Sequence, residues 1–175
     1  MNPPIKLHLG CGGRRLDGYV HIDARDLPGL DYVATVDELN AFEDNSVDLI
    51  YACHVFEHIK RPAQLGILRY WRRKLKSGGT LRLSVPDFAT LSELYLEWGV
   101  TFWRIVGPLY GRQDYPENVH YCGFDHEYLA WLLTEAGFHT IRRWWPYEVF
   151  PVDYDDYSKA KIEHAEISLN LEATA

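Results

Sequence analysis

A chain of 175 residues with a formal charge of -7 is long enough to bury one core and too acidic for a broad phosphate-tracking surface, so no nucleic-acid role is expected. Its three cysteines, Cys11, Cys53 and Cys122, form no Cys-x-x-Cys pair, which argues against a disulfide framework or zinc knuckle and for a reducing compartment. The first residues lack a signal-peptide pattern and no apolar run reaches the ~18 residues of a membrane span, so a cytoplasmic protein without membrane attachment is expected.

Lys6-Leu7-His8-Leu9 alternates and runs at once into Gly10-Cys11-Gly12-Gly13, the pattern of a strand ending in a tight, ligand-facing turn. Tyr19 to Asp23, Tyr32 to Val36 and Val47 to Ala52 read as three further strands. Glu57 to Lys76 has helical periodicity and ends at Ser77-Gly78-Gly79, a glycine stop, before a fifth strand from Thr80 to Val85. Residues 88 to 120 read as an insertion, with helical patterns in Thr90 to Trp98 and Thr101 to Val106. Asp125 suits the N-cap of a helix from His126 to Ala136, and Thr140 to Trp145 and Glu166 to Glu172 read as the last strands. No linker or internal repeat divides the chain, so residues 1–175 are expected to form a single domain. Strands alternating with helices imply an α/β fold with ligands at the carboxyl ends of a parallel sheet.

Glycines at 10 and 12 let backbone approach a ligand, and Asp23 ends the second strand where a carboxylate can accept hydrogen bonds from ribose hydroxyls. The same residues also suit a plain tight turn and an Asx turn with Arg25 or Asp26. An NAD(P)-dependent oxidoreductase is the competing enzyme class, but Arg15 stands where Gly-x-Gly-x-x-Gly needs its last glycine.

Leu7 to Gly13, Val20 to Asp23 and Phe42 to Ile59, followed by Leu75 to Leu81 and Glu135 to Phe138, resemble the successive motifs of class I S-adenosylmethionine-dependent methyltransferases of the small, type 11-like kind. The resemblance implies a Rossmann-like, doubly wound, seven-stranded, mostly parallel sheet with helices on both faces and an antiparallel last strand. It implies S-adenosylmethionine as cofactor, with Gly10, Cys11 and Gly12 against the methionine part and Asp23 on the ribose. Asp37, Glu38 and Leu39 would approach the adenine edge, and Cys53 and His54 the methyl end. The chain departs from the pattern at His8, where many relatives carry an acid, and at Arg14, where the common form has a third glycine. The few residues between Gly13 and Tyr19 also leave room only for a turn in place of the first crossover helix.

Methyl transfer from a sulfonium needs in-line positioning, plus a base when the nucleophile must lose a proton. His54, His120 and His126 are the candidates, and His126 equally suits an exposed first helical residue. Glu57 and His58 are expected to fix a strand-helix junction. Ligand spacing among Cys53, His54, His120 and Cys122 gives no support for a metal, and none is expected. Trp98, Phe102, Trp103, Tyr110 and Tyr115 could line an acceptor pocket, form a homodimer surface or pack internally, with helical spacing favouring packing for Tyr95, Trp98 and Phe102. The expected reaction is methylation of an oxygen or nitrogen nucleophile on a small molecule, of glycan or secondary-metabolite type. A degenerate cofactor-binding scaffold is the non-enzymatic alternative.

Overall fold

The computed structural model describes residues 3–175. Seven strands form one sheet: β1 (Lys6–Leu9), β2 (Val20–Asp23), β3 (Tyr32–Val33), β4 (Val47–Cys53), β5 (Leu75–Pro86), β6 (His139–Arg143) and β9 (Ser168–Thr174), in the order β3-β2-β1-β4-β5-β9-β6. The strands from β3 to β5 pair in parallel, and β9 lies antiparallel to both β5 and β6. A small hairpin, β7 (Lys161–Ile162) and β8 (Ala165–Glu166), stands apart. This is the seven-stranded α/β architecture expected from the sequence.

Two crossover helices, α1 (Arg61–Lys74) and α4 (His126–Glu135), cover one face. Leu68 and Trp71 of α1 and Leu129, Leu132 and Leu133 of α4 pack with Leu7, Leu9, Ile50, Ala52, Leu81, Leu83 and Leu171 of the strands. Side chains alternate across a strand, so Tyr51 and Cys53 of β4 point to the opposite face, where they meet Leu16, Trp144 and Phe150. That second face is polar: His8, His21, Arg82, Asn170 and Glu172 share it by strand alternation, and Glu172 receives Arg82 Nε at 2.8 Å and Arg142 Nε at 2.7 Å. A row of polar groups cannot be buried under an amphipathic helix without partners. A largely irregular segment around residues 144–160, with the single-turn helix α5 (Pro146–Val149) and a 3-10 turn at Tyr157–Lys159, covers it instead and supplies hydrogen bonds: Asp156 accepts from Tyr51 Oη at 2.5 Å and Ser158 O from Asn170 Nδ2 at 3.0 Å.

Local chemistry moved several boundaries. The third strand ends at Val33, not Val36: Ala34 N–H makes the last ladder bond, to Asp23 O, and the chain then turns, Glu38 N–H meeting Thr35 O. The helix expected from Glu57 to Lys76 is split into a 3-10 turn at Phe56–His58 and α1, which starts with Pro62 in its first turn, a position where the missing N–H costs nothing. Nor do Gly78 and Gly79 stop that helix: Leu75 already pairs with Val47, and the glycines fill a register shift within β5 before Thr80 pairs with Leu49. Residues 88–110 fold into α2 (Phe88–Leu96) and α3 (Phe102–Tyr110), which share a small core of Leu91, Leu94, Val100 and Ile105 with Ile162 and Ile167. Tyr95, Trp98 and Phe102 are not part of that core: the three rings are about half exposed (49, 53 and 48%), and Tyr95 and Phe102 meet each other edge to face at 6.3 Å, because it is Leu91, Leu94 and Ile105 that α2 and α3 turn inward. Among the described residues, no helix is long and apolar enough to cross a membrane.

Candidate functional site

The turn after β1 is built for close backbone approach. Gly10 and Gly12 both sit at positive φ (59° and 56°), and a Cβ on Gly10 would stand 2.3 Å from Val55 Cγ2, so each is a position that a side chain would strain. No crossover helix follows. Arg15 does its work by donating to Gly12 O (2.8 Å), Arg14 O (2.7 Å), Gly29 O (2.9 Å) and Pro28 O (2.5 Å), which ties the glycine turn to the loop after β2. Arg14 reaches the other way, donating to Asp155 O at 2.9 Å and stacking on the Tyr157 ring at 4.7 Å, and so draws the segment 153–159 toward the same turn.

Asp23, at the tip of β2, is 5% exposed, and its carboxylate accepts from Gly12 N–H at 2.8 Å and from Arg25 N–H at 3.0 Å and Nε at 3.1 Å. Burial alone would raise its pKa, but the Arg25 and Gly12 donors outweigh it and hold the carboxyl below its ordinary value. The Arg25 guanidinium also lies on the Tyr115 ring at 4.8 Å and is the nearest group to a Cβ built on Gly12, at 3.6 Å, while a Cβ on Gly13 would meet nothing within 4 Å. The cradle is therefore open past Gly13 and roofed over Gly12 by one side chain, 40% exposed.

The other residues expected at the cofactor have different surroundings. Cys11 is buried, its thiol pushed up to about 11 by burial. Asp37 and Glu38 are exposed in the loop after β3, with Asp37 accepting from Thr35 Oγ1 at 2.6 Å. Leu39 is a core residue, 1% exposed, and only its N–H faces a polar group, the Tyr70 hydroxyl at 2.9 Å. Cys53 packs under the second face, its thiol raised well above the ordinary value by burial.

His54 takes positive φ (53°) at the end of β4 and points into a cluster that no sequence pattern above assembled. Its Nε2 lies 2.9 Å from Ser168 Oγ and its Nδ1 3.3 Å from Glu57 Oε1. Glu57 is fully buried, and neither carboxylate oxygen has a hydrogen-bond partner; burial raises its pKa to about 8. His120 Nε2 stands 3.9 Å from the same oxygen, and the rings of His120 and His58 meet edge to face at 4.7 Å. Burial lowers all three imidazoles, His54 to about 3 and His120 to about 4, so both are neutral near pH 7. His126 is exposed at the first position of α4, whose cap is Asp125, accepting from Tyr128 N–H at 2.8 Å. The fold thus unites His54 and His120 and leaves His126 outside.

Arg15, Arg25, Tyr115 and Glu57 have surroundings that differ from the roles the sequence suggested for them. Arg25 was readable only as a turn partner of Asp23, and nothing in the sequence places Tyr115 beside it. For Glu57 a signal existed: His54-x-x-Glu57-His58 is a spacing found in metal-binding motifs.

Comparisons with known proteins agree with this fold. Residues 16–83 match the family model described as a methyltransferase domain. No curated protein matches the chain in sequence. In structure it is similar to an S-adenosylmethionine-dependent methyltransferase from Archaeoglobus fulgidus (TM-score 0.60, 14% identity, covering 98% of this chain and 86% of the other). It is similar also to the 1,6-didemethyltoxoflavin-N1-methyltransferase of Burkholderia thailandensis, solved with that compound and S-adenosylhomocysteine (0.58, 15%, 98% and 71%). A third is the Haloferax volcanii methyltransferase in complex with the Trm112 activator (0.57, 15%, 99% and 82%).

Proposed function

We propose that this chain, a class I S-adenosylmethionine-dependent methyltransferase, transfers the methyl group to an oxygen or nitrogen nucleophile of a small molecule. The observation that carries the reading is the left-handed glycine turn Gly10–Gly12 facing the buried, anionic Asp23 across the tips of two adjacent parallel strands. The residues fit the cofactor: a backbone cradle open past Gly13 and a carboxylate whose pKa keeps it ionised. When bound, S-adenosylmethionine supplies an electrophilic methyl group on sulfur. Gly12 and Asp23 would hold it, the carboxylate taking ribose hydroxyls in place of the Arg25 guanidinium. Asp37 and Glu38 are free to meet the adenine edge, and Gly10, Cys11, Cys53 and His54 lend backbone near the methionine end. Leu39 would contribute through its backbone, its side chain being in the core.

A neutral acceptor needs somewhere to lose its proton. His54 and His120 each keep a ring lone pair near pH 7, but the burial that holds them neutral also makes them weak bases, which suits an acceptor whose proton is already acidic; His126 lies exposed at the start of α4. The net charge of -7 disfavours a polyanionic acceptor, and the toxoflavin-precursor methyltransferase supports a small-molecule one. We read residues 1–175 as one functional unit, with 88–120 an insertion beside the acceptor side.

Calorimetric titration with S-adenosylhomocysteine tests the reading: one site in the micromolar range is expected, followed by acceptor-dependent release of S-adenosylhomocysteine in a screen of small alcohols and amines. A scaffold reading draws on a single observation, the occupation of Asp23 by Arg25. Absence of binding up to millimolar ligand would establish it in place of ours.

A further inference from the structure

We propose that Glu57, His58 and His120, with His54 alongside, form a binding site for a divalent transition-metal cation of the zinc type. The site shares His54 and His120 with the proton acceptors named above, and a ring nitrogen that holds the cation takes no proton while the cation is bound. One ligand atom from each of Glu57, His58 and His120 lies within 4.8 Å of the other two, and the two ends of the cluster come from β4 with its 3-10 turn and from the loop before α4.

The hydrogen bonds around the cluster leave acceptors facing acceptors. Ser168 Oγ donates its own proton to Tyr157 O at 2.6 Å, so His54 must donate from Nε2 to Ser168, and the lone pair on Nδ1 is left toward Glu57. His120 Nδ1 donates to Pro108 O at 2.9 Å, which leaves the Nε2 lone pair toward the same carboxylate. His58 Nδ1 donates to Val119 O at 3.1 Å, and its lone pair is on Nε2. In the middle is a fully buried carboxylate without any hydrogen bond to either oxygen. Such a group is costly unless something positive reaches it. Among the described residues no Lys or Arg is paired with Glu57; imidazole nitrogens stand 3.3 and 3.9 Å from it.

A cation resolves the conflict. Imidazoles whose far N–H is fixed on a carbonyl or hydroxyl oxygen are held in the tautomer that ligates metal. Metal-ligand bonds near 2 Å put ligands roughly 3.3–3.5 Å apart, so the cluster would close by about an ångström, a movement within reach of the loop that carries His120. Imidazole with carboxylate suits zinc, iron or nickel better than magnesium or calcium, which prefer oxygen alone. The expectation of no metal rested on spacing among Cys53, His54, His120 and Cys122; the fold selects Glu57 and His58 instead of the thiols.

The test uses the full chain, stripped with a chelator and titrated with Zn²⁺ alone by calorimetry, with X-ray absorption on the loaded protein. Uptake of one equivalent at micromolar affinity or tighter is expected, with nitrogen and oxygen scatterers and no sulfur. His120→Ala and Glu57→Gln should each weaken binding more than about tenfold, while His139→Ala, at an exposed strand position, should not. The Glu57→Gln amide can donate to the facing lone pairs, so this variant should fold even where an alanine would not. Absence of uptake, sulfur ligation, or unchanged affinity in His120→Ala would each overturn the proposal.

Discussion

Replacing Arg25 with alanine is expected to tighten S-adenosylhomocysteine binding by roughly 5- to 30-fold, about 1–2 kcal/mol. Among the described residues the guanidinium is the only side chain hydrogen-bonded to the Asp23 carboxylate, through Nε at 3.1 Å and Nη2 at 3.4 Å, and it also lies on the Tyr115 ring at 4.8 Å. Because Arg25 is 40% exposed, the ion pair is solvent-screened and counts for about 0.5–1 kcal/mol, and the ring contact adds about 0.5–1 kcal/mol. A ligand that claims Asp23 must displace both, and the alanine variant removes that cost while keeping the Arg25 backbone N–H on the carboxylate. Calorimetry on both proteins, with circular dichroism to show that the fold is intact, reads the difference. Equal or weaker affinity in the folded variant would show that Arg25 does not compete for the cofactor's place.

Three further outcomes are expected. Asp23→Ala should weaken S-adenosylhomocysteine binding by about 1–3 kcal/mol and lower the melting temperature as well, since Gly12 N–H loses its acceptor; unchanged affinity would remove Asp23 from the site. Gly10→Ala should cost about 2–4 kcal/mol from positive φ and overpacking together, and Val55→Ala in the same chain should relieve only the contact part, which a double-mutant cycle in urea measures. Full additivity of the two substitutions would mean that Val55 does not set the requirement for glycine. His8 is buried and its pKa is lowered to about 3 from an ordinary 6.5, so its contribution is present above pH 6.5 and is lost as pH falls toward 3. His8→Leu should therefore leave the protein about 2–3 kcal/mol less sensitive to acidification from pH 7 to 4.5, a gap that urea melts at the two pH values would show or deny.

Much of the glycine turn and of the strand tips around it was legible because it is local. A glycine directly after a short alternating strand, and an aspartate closing the next, are fixed by backbone geometry within a few residues, and Gly10, Gly12 and Asp23 stand at the strand tips as expected. Leu39 shows the limit: its position in the loop was readable, but whether it turned to solvent or to the core depended on Tyr70 and α1. Tyr95, Trp98 and Phe102 failed for the same reason, since helical spacing gives a stripe but not the neighbour that covers it.

By itself the sequence determined the succession of the main strands, the shortened first crossover and the tight glycine turn, because alternation, glycine and proline act through the backbone over one or two turns of chain. Only the tertiary structure decided that Arg25 roofs the cradle, that an irregular segment covers the polar face of the sheet, and that His120 meets Glu57 across more than sixty positions. Those outcomes rest on which polar groups find partners when buried, and a partner distant in sequence is chosen only when the sheet brings the two together.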